Sequence, residues 1–355
     1  MSFLSLPLQV GAFFFSNRVV MAPLTRCRSS AGRVPNALMA EYYAQRSGAG
    51  LILSEATAVD PMGVGYPDTP GIWSREQIEG WKLVTRAVHQ AGGLILLQLW
   101  HVGRISHSSY LNGLAPVAPS AIAAPGHVSL IRPHQAYPVP RALDRSEIPN
   151  VIAAYRRGAQ FAHDAGFDGV EVHGANGYLL DQFLQDGTNR RIDDYGGSIE
   201  NRARLMLEVI DAAVGVWGAD RVGLHLAPRG DSHGITDSDP AKTFGYVAAE
   251  AGRRKIAFLC VRESLHGAKP CIGPALKRAF GGVYIANEAF TVEQAEQVIG
   301  AGEADAVAWG KLFIANPDLP ERLRRKAPLN SPDSVTFYGG TAHGYTDYPF
   351  LPFGV

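Results

Sequence analysis

Three cysteines in 355 residues are too few for a disulfide framework. Cys27, Cys260 and Cys271 also match no zinc-ligand spacing, so no metal is expected from them. Such sparse cysteine is what a reducing cytoplasm allows. Neither sign of charge is in excess. Lys and Arg number 33, Asp and Glu number 33, and the formal net charge is zero. A general nucleic-acid binder would carry a basic surplus, so nucleic acid is excluded as a partner. The cluster Arg322, Arg324, Arg325 and Lys326 reads as a solvated helix face. No apolar run approaches the ~20 residues of a membrane helix, so no membrane partner is expected. The apolar N-terminal residues Phe3, Leu4, Leu6 and Phe13 to Phe15 have no basic stretch ahead of them, and the first basic residue is Arg18. The expectation is a cytoplasmic protein without a signal peptide. Also missing is any Gly-x-Gly-x-x-Gly turn, and Trp309-Gly310-Lys311-Leu312 lacks the context of a phosphate loop.

What is present is a core. Hydrophobic residues make up 46% and charged residues 19%, which excludes disorder as the main state. Short runs at 18–25, 50–58, 94–100, 169–175, 222–227, 257–263, 282–288 and 306–311 are mostly apolar on both faces, as parallel strands buried on both sides read. Helical patterns lie between them. One at 74–91 opens with Ser74, and its Ile78, Trp81, Val84 and Val88 follow a helical period. Others run over 147–165 behind Ser146, from Ser198 through Val209, over 239–252 behind Asp239-Pro240, and over 291–302 from Thr291. Eight strands alternating with helices predict a single (β/α)8 TIM barrel. A doubly wound sheet is the competing fold, but it would carry the missing Gly-rich turn. Length alone would permit two domains at roughly 150 residues each. With no linker in view, one barrel over 1–355 is expected. It has a long excursion at 102–141 after the third strand, rich in Ser, Pro, Gly and His and read as a lid, and a C-terminal extension at 329–355.

Active sites of such barrels lie at the C-terminal ends of the strands. Polar residues there are Thr25; Glu55 and Thr57; Gln98, Trp100 and His101; His173, Asn176 and Tyr178; His225; Arg262 and Glu263; Asn287; and Gly310 with Lys311. The fourth set is the most informative. His173 and Asn176 can both donate to an oxygen, and Tyr178 is a weak acid. Two donors on a carbonyl beside a proton-bearing phenol suit reduction of an activated double bond. A core histidine and a turn asparagine are the plainer alternative. Gly310 and Lys311 can hold a phosphate, or Lys311 can be solvated.

Six stretches carry a family likeness. Met21-Ala22-Pro23-Leu24-Thr25-Arg26, Leu53-Ser54-Glu55-Ala56-Thr57, Gln98-Leu99-Trp100-His101-Val102-Gly103-Arg104 and His173…Asn176…Tyr178 are four. Thr188 to Arg191 with Asp194 to Arg202 make a fifth, and Phe313 to Pro320 with Gly344 to Pro349 a sixth. Together they resemble the Old Yellow Enzyme family of FMN-dependent ene-reductases, nearest its bacterial branch acting on cyclic enones and nitrate esters. The resemblance implies non-covalent FMN in a TIM barrel, with NADPH or NADH as reductant and a small enone as substrate. It assigns Pro23, Leu24, Thr25, Ala56 and Gln98 to the flavin ring, and Asn287, Gly310 and Lys311 to its phosphate. It assigns Trp100 and Tyr338 to the substrate pocket, His173 and Asn176 to the substrate oxygen, and Tyr178 to proton donation. Hydride would come from flavin N5, with net trans addition. Monomer and homodimer are both compatible.

Two positions depart from the family pattern. His225 stands where an arginine usually faces the flavin N1 and C2 carbonyl, so charge stabilisation there is expected to depend on pH between about 5 and 8. Lys311 replaces an arginine at the phosphate and loses its bidentate fork, so FMN affinity is expected to be lower. Cys27, two residues beyond Thr25, reads as structural. His101, His107, His127 and His134 have no accompanying carboxylate pattern and do not read as a metal site. Two other readings stay open: a flavin-carrying barrel with impaired redox activity, and a phosphate-binding barrel lyase or isomerase with His173 as base.

Overall fold

A computed structural model describes residues 2–230, 232–265 and 270–352. Its centre is a ring of parallel strands: β1 (Val19–Met21), β2 (Leu51–Leu53), β3 (Ile95–Trp100), β4 (Gly169–Gly174), β5 (Val222–Leu226), β6 (Phe258–Arg262), β7 (Val283–Asn287) and β8 (Ala306–Trp309). Each pairs with the next, and Val307 of β8 lies beside Val19 of β1, which closes the barrel. That closure removes the doubly wound alternative. Helices α1 (Ala37–Ala44), α2 (Arg75–Gln90), α3 (Ile148–Asp164), α4 (Ile199–Trp217), α5 (Pro240–Arg253), α6 (Gly273–Phe280), α7 (Val292–Gly300) and α8 (Leu319–Arg325) follow the strands in turn. Among the described residues no helix is long and apolar enough to cross a membrane.

Several boundaries differ from those expected. β1 ends at Met21, because Pro23 has no N–H to extend the ladder. β2 stops at Leu53, and Thr57–Ala58 makes a separate short pairing with Leu99 and Trp100. β8 ends at Trp309, and Lys311 opens the short helix Lys311–Ala315 instead of closing a strand. Ser74, Ser198, Asp239 and Thr291 cap their helices as expected. Ser146 does not. It falls inside the 3-10 turn Arg145–Glu147, where the Glu147 carboxylate accepts the Asp144 N–H at 2.8 Å.

The N-terminal end of the barrel is plugged. Strands Leu8–Val10 and Phe13–Phe15 form an antiparallel hairpin beneath it. Val10, Phe13 and Phe15 are buried against Val20, Leu51, Leu53, Leu96 and Phe258, while Phe14 between them faces out. That alternation is the period of a strand with one buried face. A Cβ on Gly223 would lie 2.1 Å from the Phe258 ring, so this glycine makes room for the aromatic filling. Each large side chain buried here contributes about 1.5–3 kcal/mol.

The other end carries the excursion and the tail. In 102–141, Val117–Ala118 pairs with Arg141–Ala142, and His127 bridges to Ala136. Val102, Ile105, Ala124, Val128 and Tyr137 pack on Ala56 and Trp100, so the segment folds down onto the barrel mouth. The tail is clamped by buried guanidiniums. Arg26 donates to Phe337 O (2.8 Å) and Gly344 O (2.9 Å), and Arg28 to Thr336 O (2.9 Å). The Tyr345 ring stacks on Tyr42 at 4.0 Å. Of the expected extension 329–355, residues 353–355 lie outside the described residues.

Candidate active site

A cavity of about 1290 Å³ opens at the C-terminal end of the barrel. Single small-molecule pockets are roughly 300–1,000 Å³, so there is room for a cofactor and a substrate together. Pro23, Leu24, Thr25, Ala56, Gln98, Trp100, His173, Asn176, Tyr178, His225, Asn287, Gly310, Lys311 and Tyr338 all line it. Other strand-end residues go elsewhere. Glu55 accepts the Arg26 N–H at 3.3 Å and the Tyr43 hydroxyl at 3.5 Å, and burial pushes its carboxyl up to about 7. The Thr57 hydroxyl donates to Glu55 O. His101 accepts the Gly103 N–H, and burial holds its ring down at about 4. Glu263 ties down the N–H groups of Ile272 and Gly273. Cys27 is buried, its thiol pushed up to about 12 by desolvation, as a structural cysteine would be.

The centre of the cavity is built by the turn after β4. Asn176 (φ 58°) and Gly177 (φ 76°) are both left-handed, a conformation Asn tolerates and Gly favours. The turn is fixed by Asp181, which accepts the Gly177 N–H at 2.9 Å, and by Gln182, whose side chain donates to Gly177 O at 2.7 Å. It folds the Tyr178 ring back to 5.2 Å from His173 and 5.0 Å from Trp100. The His173 Nδ1 accepts the Ala175 N–H at 3.3 Å. Burial, with the charges of His225 and Arg262, holds the ring well below its usual range. His173 is therefore neutral, with its proton on Nε2, a single directed donor. The Asn176 Oδ1 accepts from Arg262 Nη1 at 2.9 Å, which leaves the amide N–H groups to donate. Arg262 is itself held by Glu288. Burial raises the Tyr178 hydroxyl well above an ordinary phenol, so it keeps its proton at neutral pH. The Tyr66 hydroxyl lies 2.9 Å from it.

Below this group is a polar layer. Gln98 Nε2 donates to Glu171 Oε2 at 2.7 Å, and Glu171 Oε1 lies 3.4 Å from His225 Nδ1. Both His225 nitrogens and the Trp100 Nε1 are buried without a hydrogen-bond partner among the described residues. Such donors call for a ligand with polar edges. At the far end Gly310 packs close: a Cβ there would meet the Leu24 side chain at 2.9 Å. Lys311 follows it with a cation. An elongated group with an apolar face, a polar edge and an anionic end fits this donor set.

Four residues escaped the sequence reading or were left without a role: Glu171, Tyr66, His233 and Arg262. Glu171 was legible, since it lies two residues before His173 and shares its face of β4. Arg262 was visible only as a strand-end cation. Tyr66 and His233, whose Nδ1 lies 2.9 Å from Asn176 O, sit on loops that no periodicity places.

A closed barrel with a deep strand-end cavity, paired donors and a protonated phenol defines a cofactor-dependent barrel oxidoreductase. The family model described as NADH:flavin oxidoreductase / NADH oxidase matches residues 4–330, and the chain belongs to that family. It is 45% identical to the Old Yellow Enzyme homologue of Zymomonas mobilis, covering 98% of this chain and 99% of that one with a TM-score of 0.96. It is 49% identical to morphinone reductase solved with tetrahydroNAD, covering 99% and 98% with a TM-score of 0.95. It is 44% identical over 361 residues to 12-oxophytodienoate reductase 1 of Oryza sativa subsp. japonica, covering 97% of this chain and 92% of the relative. The protein is an FMN-dependent oxidoreductase of the Old Yellow Enzyme type.

Proposed function

We propose that this protein reduces the activated C=C bond of α,β-unsaturated carbonyl compounds, using NADH or NADPH. The observation that carries the reading is the convergence of neutral His173, Arg262-held Asn176 and protonated Tyr178 in one cavity with the flavin-type donor set. When bound, FMN would supply hydride chemistry between the nicotinamide and the substrate's β-carbon. Pro23, Leu24, Thr25, Ala56, Gln98 and His225 would hold its ring, and Asn287, Gly310 and Lys311 its phosphate. A nicotinamide as reductant is supported by the related morphinone reductase, which was solved with tetrahydroNAD.

His173 and Asn176 each donate to the substrate's carbonyl oxygen. Those bonds strengthen as charge gathers on the oxygen, so they favour the transition state over the bound substrate. Tyr178 delivers its proton to the α-carbon. The phenol is neutral beforehand because burial disfavours its anion, and the Tyr66 hydroxyl is in place to steady it afterwards. Trp100 and Tyr66, stacked at 5.5 Å, wall the substrate space and exclude water, and Tyr338 lies at its mouth. We read the chain as one unit over 1–355, with 102–141 as the lid and 329–355 as the tail. The free cysteines support a cytoplasmic location.

The test is a spectrum. Purified protein should be yellow, bleach anaerobically with NADPH or NADH, and regain colour with cyclohexenone. A colourless protein would return the lyase reading. A yellow one that nicotinamide leaves unbleached would return the impaired barrel.

A further inference from the structure

Glu171 is fully buried on β4, inside the barrel. An ionised carboxylate there costs several kcal/mol unless it is paired. One oxygen is satisfied by Gln98. The other has no hydrogen-bond donor among the described residues, and the group in ion-pair range is His225 Nδ1, 3.4 Å away and equally without a partner. Both ring nitrogens of His225 lack a partner, and only the imidazolium carries a proton on each, so that one can serve the Glu171 carboxylate and the other a ligand while the positive charge balances the buried anion.

We propose that Glu171 is a positioning residue that keeps His225 in its imidazolium form, so that the pair presents a fixed positive charge to the polar edge of the FMN ring. The inference rests on the flavin reading above. It replaces the simple expectation that a lone histidine there titrates through the neutral range. Reduction puts negative charge on the ring, and a cation held beneath it favours the reduced state. Glu171 supplies the negative charge that holds the proton, and Gln98 keeps the carboxylate turned toward His225.

The other groups facing His225 oppose its charge only weakly. On β4 the His173 ring is 5.7 Å away and neutral. On β6 Cys260 is in register with His225, and burial keeps its thiol protonated. Arg262, the next inward residue on β6, is neutralised by Glu288. Lys311 lies on the same cavity. The donor atoms of Glu171, His225 and Cys260 lie within 4.8 Å of one another, so a bound cation is the rival explanation. A proton is preferred because it needs nothing beyond the His225–Glu171 pair itself, whereas an ion would also require the Cys260 thiol, which burial keeps protonated, to ionise.

The test is the two-electron midpoint potential of the holoenzyme from pH 5.5 to 8.5, in wild type, Glu171→Gln, His225→Arg and the double variant. Glu171→Gln is expected to weaken reduction at least tenfold at pH 8, about 30 mV for a two-electron couple. The gap should shrink as pH falls and the unassisted imidazole protonates. In the His225→Arg background the same change should alter reduction less than threefold, because a guanidinium needs no help to stay charged. An equal loss in both backgrounds would mean a structural role and overturn the proposal. So would an unshifted potential. If Glu171→Gln fails to fold, histidine-selective NMR of the wild-type holoenzyme decides: His225 protonated at pH 7.5 supports the pair, and a neutral ring overturns it. Stoichiometric zinc that Cys260→Ser abolishes would also overturn it. A protein that nicotinamide cannot bleach, yet whose His225 is protonated, would fail the enzyme reading and leave the pair standing.

Discussion

The two ends of the barrel are built on opposite principles. At the N-terminal end Val10, Phe13 and Phe15 fill the bore with apolar side chains that need no polar partner. At the C-terminal end the bore holds Gln98, Glu171, His173 and His225, all buried, and several of their polar atoms lack hydrogen-bond partners among the described residues. One end is finished by folding alone. The other is finished by what it binds. Stability and chemistry are thereby separated along a single axis, and substitutions at the two ends should fail in different ways.

The largest effect is expected at the open end. Tyr178→Phe should slow reoxidation of the reduced flavin by enone by about 10²–10⁴-fold, the usual worth of a general acid. Reduction by nicotinamide should change less than about threefold, which stopped-flow traces of the two half-reactions would resolve. Equal losses in both halves would remove Tyr178 as proton donor. At the plugged end Phe13→Ala should cost about 3–5 kcal/mol of stability, read as a fall in melting temperature. The flavin spectrum and both half-reactions should stay intact in the folded fraction, and a changed spectrum would join the two ends that the comparison separates.

A smaller effect separates the ends by pH. Burial holds the Glu55 carboxyl at about 7, above its unfolded value near 4.3. A raised folded value means stability is full below about pH 4 and declines as pH rises through 7. Melting temperature should therefore fall between pH 5 and 8, by an amount worth about 1–3 kcal/mol. Glu55→Gln should reduce that slope, the remainder belonging to Asp181, whose carboxyl burial also raises to about 7, whereas Phe13→Ala should lower the whole curve without tilting it. Smallest of all is the pH response of the enone half-reaction. His173 is held below its usual range and Tyr178 above its own, so neither changes charge near neutrality. The rate should be level from about pH 6 to 8, and a bend from His173 would contradict its assignment as a neutral donor.

The open end was the more legible in sequence. Its residues fall at strand ends, where a polar side chain after an apolar run stands out: Gln98 after Leu94 to Leu97, His225 after Val222 to Leu224. The plug was missed. Three phenylalanines in a row, Phe13 to Phe15, conceal which of them face inward until the hairpin is paired. Ser146 has the side chain of a cap, but the chain makes a 3-10 turn there first. Glu171 was visible as a letter and hidden as a neighbour, because its importance depends on how β4 and β5 are registered. The clamp on the tail was hidden for the same reason, since nothing near Arg26 indicates that its partners lie more than 300 residues later.

That clamp has a consequence for synthesis. Arg26 adjoins Thr25 on the cavity wall, yet its guanidinium is buried only when the carbonyls of Phe337 and Gly344 arrive. Domains emerge from the ribosome N-terminus first, and contacts between distant residues are the slowest to close. The segment that follows β1 is therefore completed by one translated more than 300 residues later. A chain stalled before that segment would leave the Arg26 guanidinium without those two carbonyls and open to water beside the cavity, a mark for the chaperones and proteases that inspect nascent proteins.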